Sequence, residues 1–219
     1  MNSTSDHAPV GEPAMKSSDI ADAAEKLTGQ RSHMSQTIRS ISGGSLAGHA
    51  VTLQLAKDES VSAMALGLAV VRIIEAASAS SVLVMAVEEG RDFAVFGATL
   101  AVLMKVRKLA GLVVDGSVRD VVELREIQFP TFALGTVPGS AGGRYKLASV
   151  NEPIVCGGLI VASGNLIVGD EDGVAVAPAH REAEILAMAA KAQAEEAQLL
   201  KRIQAEGSYL KLVADGTRD

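Results

Sequence analysis

The chain has 219 residues, 48% of them hydrophobic and 21% charged, a composition typical of one soluble globular domain that can bury a sizeable core. A net charge of −6 and an aromatic content of 3% leave little for nucleic acid to bind, since phosphates need basic surfaces and single strands need stacking platforms. The single cysteine excludes an internal disulfide framework and is typical of a reducing compartment. With no signal-peptide pattern and no apolar run of membrane-spanning length, the sequence predicts a cytoplasmic protein without nucleic-acid or membrane partners.

The predicted elements alternate between helix and strand over the first part of the chain. Residues 1–17 are polar, with prolines and a glycine, so we expect a flexible tail before a single domain over residues 18–219. Ser18 and Asp19 are candidate caps of the first helix. The predicted helices are 20–27, 61–77, 98–109 and 120–127, and the predicted strands are 50–55, 81–87, 111–115 and 131–134. This order predicts parallel strands joined by crossover helices.

The pattern changes near residue 135. Residues 135–150 are rich in Gly, Ser and Lys and are expected to form a surface loop. Strand-like runs separated by Gly-containing turns then predict a β-rich section, partly antiparallel, over residues 154–177. A long amphipathic helix is predicted over residues 179–205. Its length indicates contact with a neighbouring subunit, and packing on its own sheet alone is the other interpretation.

Two turns are candidates for a ligand-binding or catalytic site, because ligands of parallel sheets bind beyond the carboxyl ends of the strands. The turn Gly97-Ala98-Thr99 opens a helix, and the free N–H groups of Ala98, Thr99 and Leu100 would attract a carboxylate or phosphate. If strands 81–87 and 111–115 are neighbours, this turn and the one that follows the second strand face one crevice.

The second turn ends in the adjacent residues Arg119 and Asp120. Arg119 could bind a carboxylate or an enolate oxygen through its fork of donors. Asp120 could hold Mg²⁺, which would polarise a carbonyl and stabilise an enolate. The alternative is a plain helix N-terminus, with Asp120 as a capping acid and Arg119 as a solvated charge.

Other polar groups give weaker signals. The charge run at 88–92 is typical of a solvated loop, and Asp170 to Asp172 are typical of a hairpin turn before they suggest a metal site. The four histidines lack ligand spacing, so a histidine metal site or a histidine-based triad is not supported. Cys156 is interpreted as a small buried hydrophobe, with a catalytic thiol as the less favoured alternative.

Four sequence blocks resemble the RraA-like family, close to its 4-hydroxy-4-methyl-2-oxoglutarate / 4-carboxy-4-hydroxy-2-oxoadipate aldolases. They are FGATLAVLMKVRKLAGLVVDGSVRDV, FPTFALG, VNEPIVCGGLIVASGNLIV and DEDGVAVAP. The resemblance implies a compact α/β/α sandwich with a swivelling β/β/α topology and a long C-terminal helix. It also implies a homotrimer or homohexamer with active sites at subunit interfaces. The implied activity is a class II lyase, dependent on Mg²⁺ or Mn²⁺, that acts on a small 2-oxo acid through a pyruvate enolate, as aldolase or oxaloacetate decarboxylase.

The resemblance also implies roles for residues. Arg119 corresponds to the arginine that contacts the pyruvate oxygens and Asp120 to the aspartate that anchors the metal. The backbone from Gly97 to Leu100 corresponds to the cradle for the substrate carboxylate. A glutamate of the neighbouring subunit's terminal helix lines the same pocket in the family, and Glu195 or Glu196 would match it.

One position departs from the aldolase pattern. The active aldolases carry an aspartate where this chain has Ala98, and that carboxylate would orient a metal-bound or proton-shuttling water. Two alternatives to the aldolase therefore stay open. One is a non-catalytic RraA-like regulator that binds a protein partner, and the other is a different reaction through a metal enolate, such as tautomerisation.

Overall fold

The computed structural model describes residues 15–216, which form a mixed α/β fold. Most of the tail predicted for residues 1–17 lies outside the described residues. The strands are β1 (Arg39–Ser40), β2 (Leu46–Lys57), β3 (Val82–Val87), β4 (Ala94–Phe96), β5 (Gly111–Val118), β6 (Thr131–Thr136), β7 (Tyr145–Val150), β8 (Ile154–Cys156), β9 (Leu159–Val161), β10 (Leu166–Asp170) and β11 (Gly173–Ala177). The helices are α1 (Ser17–Thr28), α2 (Ala63–Ala76), α3 (Ala98–Val106), α4 (Val121–Glu126), α5 (Glu182–Glu206) and α6 (Tyr209–Gly216).

Nine strands form one sheet in the order β1-β6-β5-β3-β2-β10-β11, with β4 added beside β5 and β7 beside β2. The strands β2, β3, β5 and β6 are parallel to their neighbours in this group, which confirms the prediction from the strand–helix alternation. The later strands form antiparallel hairpins, β8 with β9 and β10 with β11, which confirms the expected change of pattern. The turn of the second hairpin contains Asp170 and Asp172, as predicted.

Helices cover one face of the parallel strands. Strand β3 is buried along most of its length because its run of apolar side chains packs on both faces of the sheet. Ser62 caps the start of helix α2, and its side chain accepts a hydrogen bond from the N–H of Ala65. The core on this side joins α2, α3 and α4 to the sheet and includes Leu53, Leu66, Val70, Ile74, Leu83, Ala101, Met104, Leu112 and Leu124.

The other side of the sheet is covered by several pieces. The β8–β9 hairpin and the segment around Met34 and Ile38 pack on one part of it. Helices α1 and α5 pack on β10 and β11, and Asp170 accepts hydrogen bonds from the N–H and hydroxyl of Ser17 at the start of α1. No side-chain cap comes from Ser18 or Asp19, so that part of the first-helix prediction was wrong. None of the helices in the described part of the chain is long and apolar enough to cross a membrane.

Three strands were not predicted, and the shortest is β1, with two residues. Strand β4 has three residues and follows a run of charges, which is too short for a periodic pattern. Strand β7 lies inside 135–150, where a surface loop was expected, so that prediction was wrong for its second half. It forms because its backbone pairs with the end of β2, although Lys146 and Ser149 keep the strand polar. Strand β5 also continues three residues beyond the predicted end at Asp115, to Val118.

The terminal helix α5 confirms the predicted element. It has 25 residues, of which Ile185 and Ala189 are buried, and it ends at Gly207 in the left-handed conformation that favours glycine. Beyond Lys191 its side chains are exposed or half-buried. The second half of the helix therefore has little packing within its own chain.

Candidate functional site

Strands β4 and β5 bring the two predicted turns together. Both run in the same direction, with Ala94 opposite Ser117 and Phe96 opposite Val118. The N–H of Arg119 donates to the carbonyl of Phe96 at 3.0 Å, which continues the pairing by one step. The chain then enters α3 from β4 and α4 from β5. Because β3 also pairs with β5 in parallel, the expected adjacency of the two turns is confirmed.

Asp120 has an unusual backbone and an unexpected partner. Its φ of 59° and ψ of 45° lie in the left-handed region, which Asp tolerates better than most residues. Its Oδ2 accepts a hydrogen bond from the N–H of Ala98 at 3.0 Å and lies 3.7 Å from Nε of Arg119. Its side chain makes no capping hydrogen bond to its own helix. The interpretation of Asp120 as the cap of α4 was therefore wrong, because the carboxylate caps α3 instead.

Gly97 makes room for this carboxylate. Its backbone is extended, so no unusual conformation requires glycine there. A Cβ at this position would instead lie 2.4 Å from Oδ2 of Asp120 and 3.1 Å from Cγ of Arg119. A side chain on residue 97 would displace the Arg119-Asp120 turn, and the sequence could not show this because the approach is between distant parts of the chain.

A cavity of about 310 Å³ opens beside these turns. Four of the predicted residues line it, namely Gly97, Thr99, Leu100 and Arg119, whereas Ala98 and Asp120 do not. Since the N–H of Ala98 already donates to Asp120, the predicted carboxylate cradle is reduced to the first-turn N–H groups of Thr99 and Leu100. The side chain of Arg119 is 44% exposed, so it is accessible to a ligand.

Helix α2 and the segment before β7 complete the cavity wall. The second lies within residues 135–150, predicted as a surface loop of the kind that often sets specificity, whereas sequence reasoning missed α2. Helix α2 contributes Ala63, Leu66, Gly67, Val70 and Val71, and the other segment contributes Ser140, Ala141 and Gly142. One signal was present in the sequence. Residues 63–71 contain no charged or polar side chain, although several of them are exposed. An uncharged outer face of this kind is unusual for a surface helix.

The side chains present suit a metal ion that binds one carboxylate and remains largely hydrated. Among residues 15–216, no three His, Cys, Asp or Glu side chains cluster so as to hold a metal ion. Asp120 supplies one carboxylate, and its Oδ1 has no hydrogen-bond partner within the described part of the chain. Mg²⁺ is commonly held by one or two carboxylates with waters and substrate oxygens. The residues present therefore fit Mg²⁺ or Mn²⁺ bound by one aspartate together with a substrate, and do not fit a closed protein cage.

The two glutamates predicted to enter a neighbouring site lie on the exposed half of α5. Glu195 is 3.8 Å from Nζ of Lys191, and Glu196 is exposed beside it. Neither belongs to the cavity wall of its own chain. Their predicted role concerns a neighbouring subunit and stays a prediction.

The weaker candidates have structural roles. Cys156 is fully buried, and burial raises the pKa of its thiol, so it is no nucleophile. The ammonium of Lys57 pairs with Glu89, and the backbone N–H of Lys57 donates to the carboxylate of Glu88. Both acids therefore bind the last residue of β2. The imidazole of His49 lies 3.0 Å from a carboxylate oxygen of Glu182 at the start of α5. None of these groups lines the cavity.

Comparison with known proteins assigns the fold and the family. A family model described as RraA-like, Aldolase/RraA, matches residues 17–176. A protein of Halalkalibacterium halodurans, provisionally named a 4-hydroxy-4-methyl-2-oxoglutarate aldolase, is 33% identical over 178 residues, which cover 81% of this chain and 79% of that protein.

Solved structures show the same architecture. An uncharacterised Pseudomonas syringae protein has a TM-score of 0.78 at 24% identity, covering 91% of this chain and 92% of that chain, and this likeness shows the fold. Streptomyces coelicolor RraAS2, described as an unusual member of the RNase ES inhibitor RraA protein family, has a TM-score of 0.73 at 27% identity, covering 86% of this chain and 93% of that one. The fold expected from the sequence is therefore confirmed, and the chain belongs to the RraA-like family.

Proposed function

We propose that this chain is a divalent-metal-dependent lyase that breaks a carbon–carbon bond of a 2-oxo acid and yields pyruvate. The observation that carries the proposal is the position of Arg119, which lines a cavity beside the start of α3 with Asp120 adjacent to it. The aldolase name of the Halalkalibacterium relative supports the reaction class. Aldol cleavage and β-decarboxylation both belong to this class.

The residues of the cavity would hold the 2-oxo acid end of the substrate. The guanidinium of Arg119 and the first-turn N–H groups of Thr99 and Leu100 are donors that suit the C1 carboxylate and the C2 oxygen. When bound at Asp120, Mg²⁺ or Mn²⁺ would supply positive charge close to the C2 oxygen. Asp120 has a second task, since its Oδ2 fixes the start of α3 and so positions those N–H groups.

Aldol cleavage then requires one proton to leave and one to arrive. The 4-hydroxyl loses its proton, the C3–C4 bond breaks, C4 becomes a carbonyl carbon, and the bond's electron pair passes through C2 to its oxygen as an enolate. Protonation at C3 gives pyruvate. Arg119 stabilises the negative oxygen through its N–H groups. Since Arg119 is the one ionisable residue of the cavity wall within residues 15–216, the first proton would leave through water or through Glu195 or Glu196 of a neighbouring subunit.

We also propose that the active form is a homo-oligomer, a trimer or a pair of trimers, in which α5 contacts a neighbouring subunit. The support is the second half of α5, whose side chains are exposed or half-buried, with Leu200 half exposed. Leucine side chains that their own chain leaves partly uncovered are typical of a protein–protein contact.

Pyruvate release tests the proposed reaction. The full chain is incubated with Mg²⁺ or Mn²⁺ and a panel of 4-hydroxy-2-oxo acids and oxaloacetate, and pyruvate is measured with lactate dehydrogenase. We expect metal-dependent release that a chelator stops and that Arg119→Ala and Asp120→Ala each reduce at least about 100-fold. Release that persists in Arg119→Ala or without metal would contradict the proposed site.

The second candidate is a non-catalytic regulator that binds a protein partner. The observation that favours it is Ala98, together with the structural likeness to an RNase ES inhibitor family member. A third candidate keeps the metal site and runs another enolate reaction, such as tautomerisation. Thermal unfolding with Mg²⁺ and oxalate separates the regulator from the two metal–enolate candidates, because a ligand of the native state raises Tm. A shift that Arg119→Ala removes supports a metal–enolate site, whereas no shift supports the regulator.

A further inference from the structure

The wall of the cavity is divided into a polar turn and an apolar remainder. In the described part of the chain, Arg119 is the only charged residue that lines the cavity. The remaining polar side chains are the hydroxyls of Thr99 and Ser140, and the Oγ of Ser140 already accepts a hydrogen bond from the N–H of Gly142. Helix α2 adds Leu66 and Val70, which are 8% and 2% exposed.

The charges at the turn suit one carboxylate. Arg119 already lies 3.7 Å from Asp120, so its positive charge is partly balanced before a ligand binds. A 2-oxo acid brings a C1 carboxylate to this turn. A second carboxylate at the other end of the molecule would meet the hydrocarbon of α2, where no lysine or arginine side chain other than Arg119 is among the described residues of the wall. Arg144, next to the wall, already donates to the carbonyls of Ser140 and Gly142, and an unpaired charge in such a place is costly.

Helix α2 cannot supply a counter-charge by rearranging a side chain. From Ala63 to Val71 it has no charged residue, and the first one, Arg72, is exposed and lies outside the cavity wall. The groups that we expect from a neighbouring subunit, Glu195 and Glu196, are acidic and would repel a second carboxylate further. Apolar surface on the ligand would instead be removed from water against Leu66, Val70 and Val71.

We infer that the substrate of this chain is a monocarboxylic 2-oxo acid with an apolar group at its far end, not a dicarboxylic acid such as the one in the Halalkalibacterium relative's name. The inference rests on the proposed lyase function and specifies its substrate class. Aldol cleavage of such a substrate would give pyruvate and an apolar aldehyde.

Binding of two uncleaved acids tests the class without depending on catalysis. Titration calorimetry of the full chain with Mg²⁺ compares 4-methyl-2-oxopentanoate with 2-oxoglutarate, which differ in having an isopropyl group or a carboxylate at the far end. We expect the first acid to bind at least about tenfold more tightly. Equal affinity, tighter binding of 2-oxoglutarate, or binding of neither acid overturns the inference.

Turnover of a matched pair separates this inference from the proposed function. Pyruvate release is measured from 4-hydroxy-2-oxohexanoate and 4-hydroxy-2-oxoglutarate, and we expect kcat/KM to be at least about tenfold higher for the first. A preference for the diacid overturns the inference and leaves the lyase function in place. Release from neither acid, with the binding preference intact, overturns the lyase function and leaves the ligand class in place.

A cation placed on α2 should reverse the preference. Val71 is half-buried in the cavity wall, so Val71→Lys can carry an ammonium to its edge, and Val71→Met is a control of similar length without charge. We expect Val71→Lys to raise the affinity ratio of 2-oxoglutarate to 4-methyl-2-oxopentanoate at least about tenfold relative to Val71→Met. An unchanged ratio in a folded Val71→Lys protein, checked by circular dichroism, contradicts the assignment of α2 as the specificity wall.

Discussion

The carboxylate of Asp120 caps the helix that begins at Ala98, accepting its N–H at 3.0 Å from across two parallel strands. This single hydrogen bond joins the two halves of the candidate site. It also means that Asp120 has one oxygen engaged in structure and one oxygen available for a metal. A variant that removes the carboxylate therefore changes the helix start and the metal site together.

Asp120→Asn and Asp120→Ala should distinguish the helix-capping role of Asp120 from its proposed metal-binding role. Asn keeps an oxygen that can accept from Ala98 and tolerates the left-handed backbone, whereas Ala loses the cap and is strained at a φ of 59°. We expect Asp120→Asn to change the free energy of unfolding by less than about 1 kcal/mol and Asp120→Ala to lower it by about 2 kcal/mol. Both should lose metal-dependent pyruvate release. Urea unfolding and the release assay measure the two effects, and full activity in Asp120→Asn would exclude the carboxylate as a metal ligand.

Gly97→Ala should damage the site through Asp120. The added Cβ would lie 2.4 Å from Oδ2 of Asp120, so the turn must move. Overpacking of this kind costs about 1–3 kcal/mol, and we expect ligand affinity to fall at least about tenfold. Gly135→Ala is the matched control, because a Cβ there meets nothing within 4 Å. If thermal unfolding and Mg²⁺–oxalate binding are the same for the two variants, the close approach of Gly97 and Asp120 has no functional role.

The sequence predicted the scaffold better than the site, and the reasons are physical. Periodic apolar runs are local signals, so the parallel strands β2, β3, β5 and β6 could be located without the structure. Strand β4 is only three residues long and forms because the edge of β5 beyond β3 is free to pair with it. It nevertheless decides the site, since it aligns Phe96 with Val118 and so places Gly97 beside Arg119.

Pairings between distant segments explain the other failures. The Lys-containing run of β7 is held as a strand only by the second half of β2, which the local sequence cannot show. Likewise, Asp120 directly precedes α4, and the alternative to a metal-binding role was that it caps this helix, but its carboxylate accepts from the N–H at the start of α3 instead. The uncharged stretch of α2 is visible in the sequence and indicates a buried or ligand-facing surface. That this surface lies beside Arg119 can be seen only in the folded structure.

Ala98→Asp should restore a missing proton carrier. Ala98 is half-buried at the first position of α3, next to the carboxylate of Asp120, and the resemblance to the active aldolases implies an aspartate at this position. We expect Ala98→Asp to raise kcat for aldol cleavage at least about tenfold, since a positioned acid–base group contributes about 10²–10⁴. Ala98→Asn has a similar size and cannot take up the proton. An equal rate in the two variants would show that residue 98 acts through packing alone.

Asp58 gives the structure a specific response to acid. Its carboxylate accepts from the hydroxyl and the N–H of Ser60 at 2.6 and 2.9 Å and lies 3.2 Å from Nζ of Lys146, which links the segment before α2 to β7. These hydrogen bonds, the Ser60 hydroxyl first, lower its pKa from 3.8 to about 2. Because the pKa is lower in the folded state, the stabilisation is present above pH 3.8 and is lost as the pH falls toward 2.

The corresponding test compares Asp58→Asn with the wild type across this pH range. At pH 7 we expect Asp58→Asn to lower Tm by about 1–3 °C, a small effect because the Lys146 partner is half exposed and solvent screens the pair. The difference should stay constant down to about pH 4 and shrink below it. Glu59→Gln, which removes the neighbouring exposed carboxylate, is the charge-matched control. A Tm difference between Asp58→Asn and the wild type that grows on acidification would contradict the direction of the pKa change.

Leu200→Glu should weaken the proposed assembly without unfolding the domain. Leu200 is 50% exposed on the half of α5 that has little packing within its own chain, between the half-buried Leu199 and Ile203. If a neighbouring subunit covers it, a buried charge in place of a leucine should weaken association by about 2 kcal/mol or more, over tenfold in affinity. Gln198→Glu adds the same charge on the other side of the helix and should leave the mass unchanged. Light scattering after size exclusion gives the mass and circular dichroism the folding, and a monomeric wild type or an unchanged mass in Leu200→Glu would exclude this surface as the subunit contact.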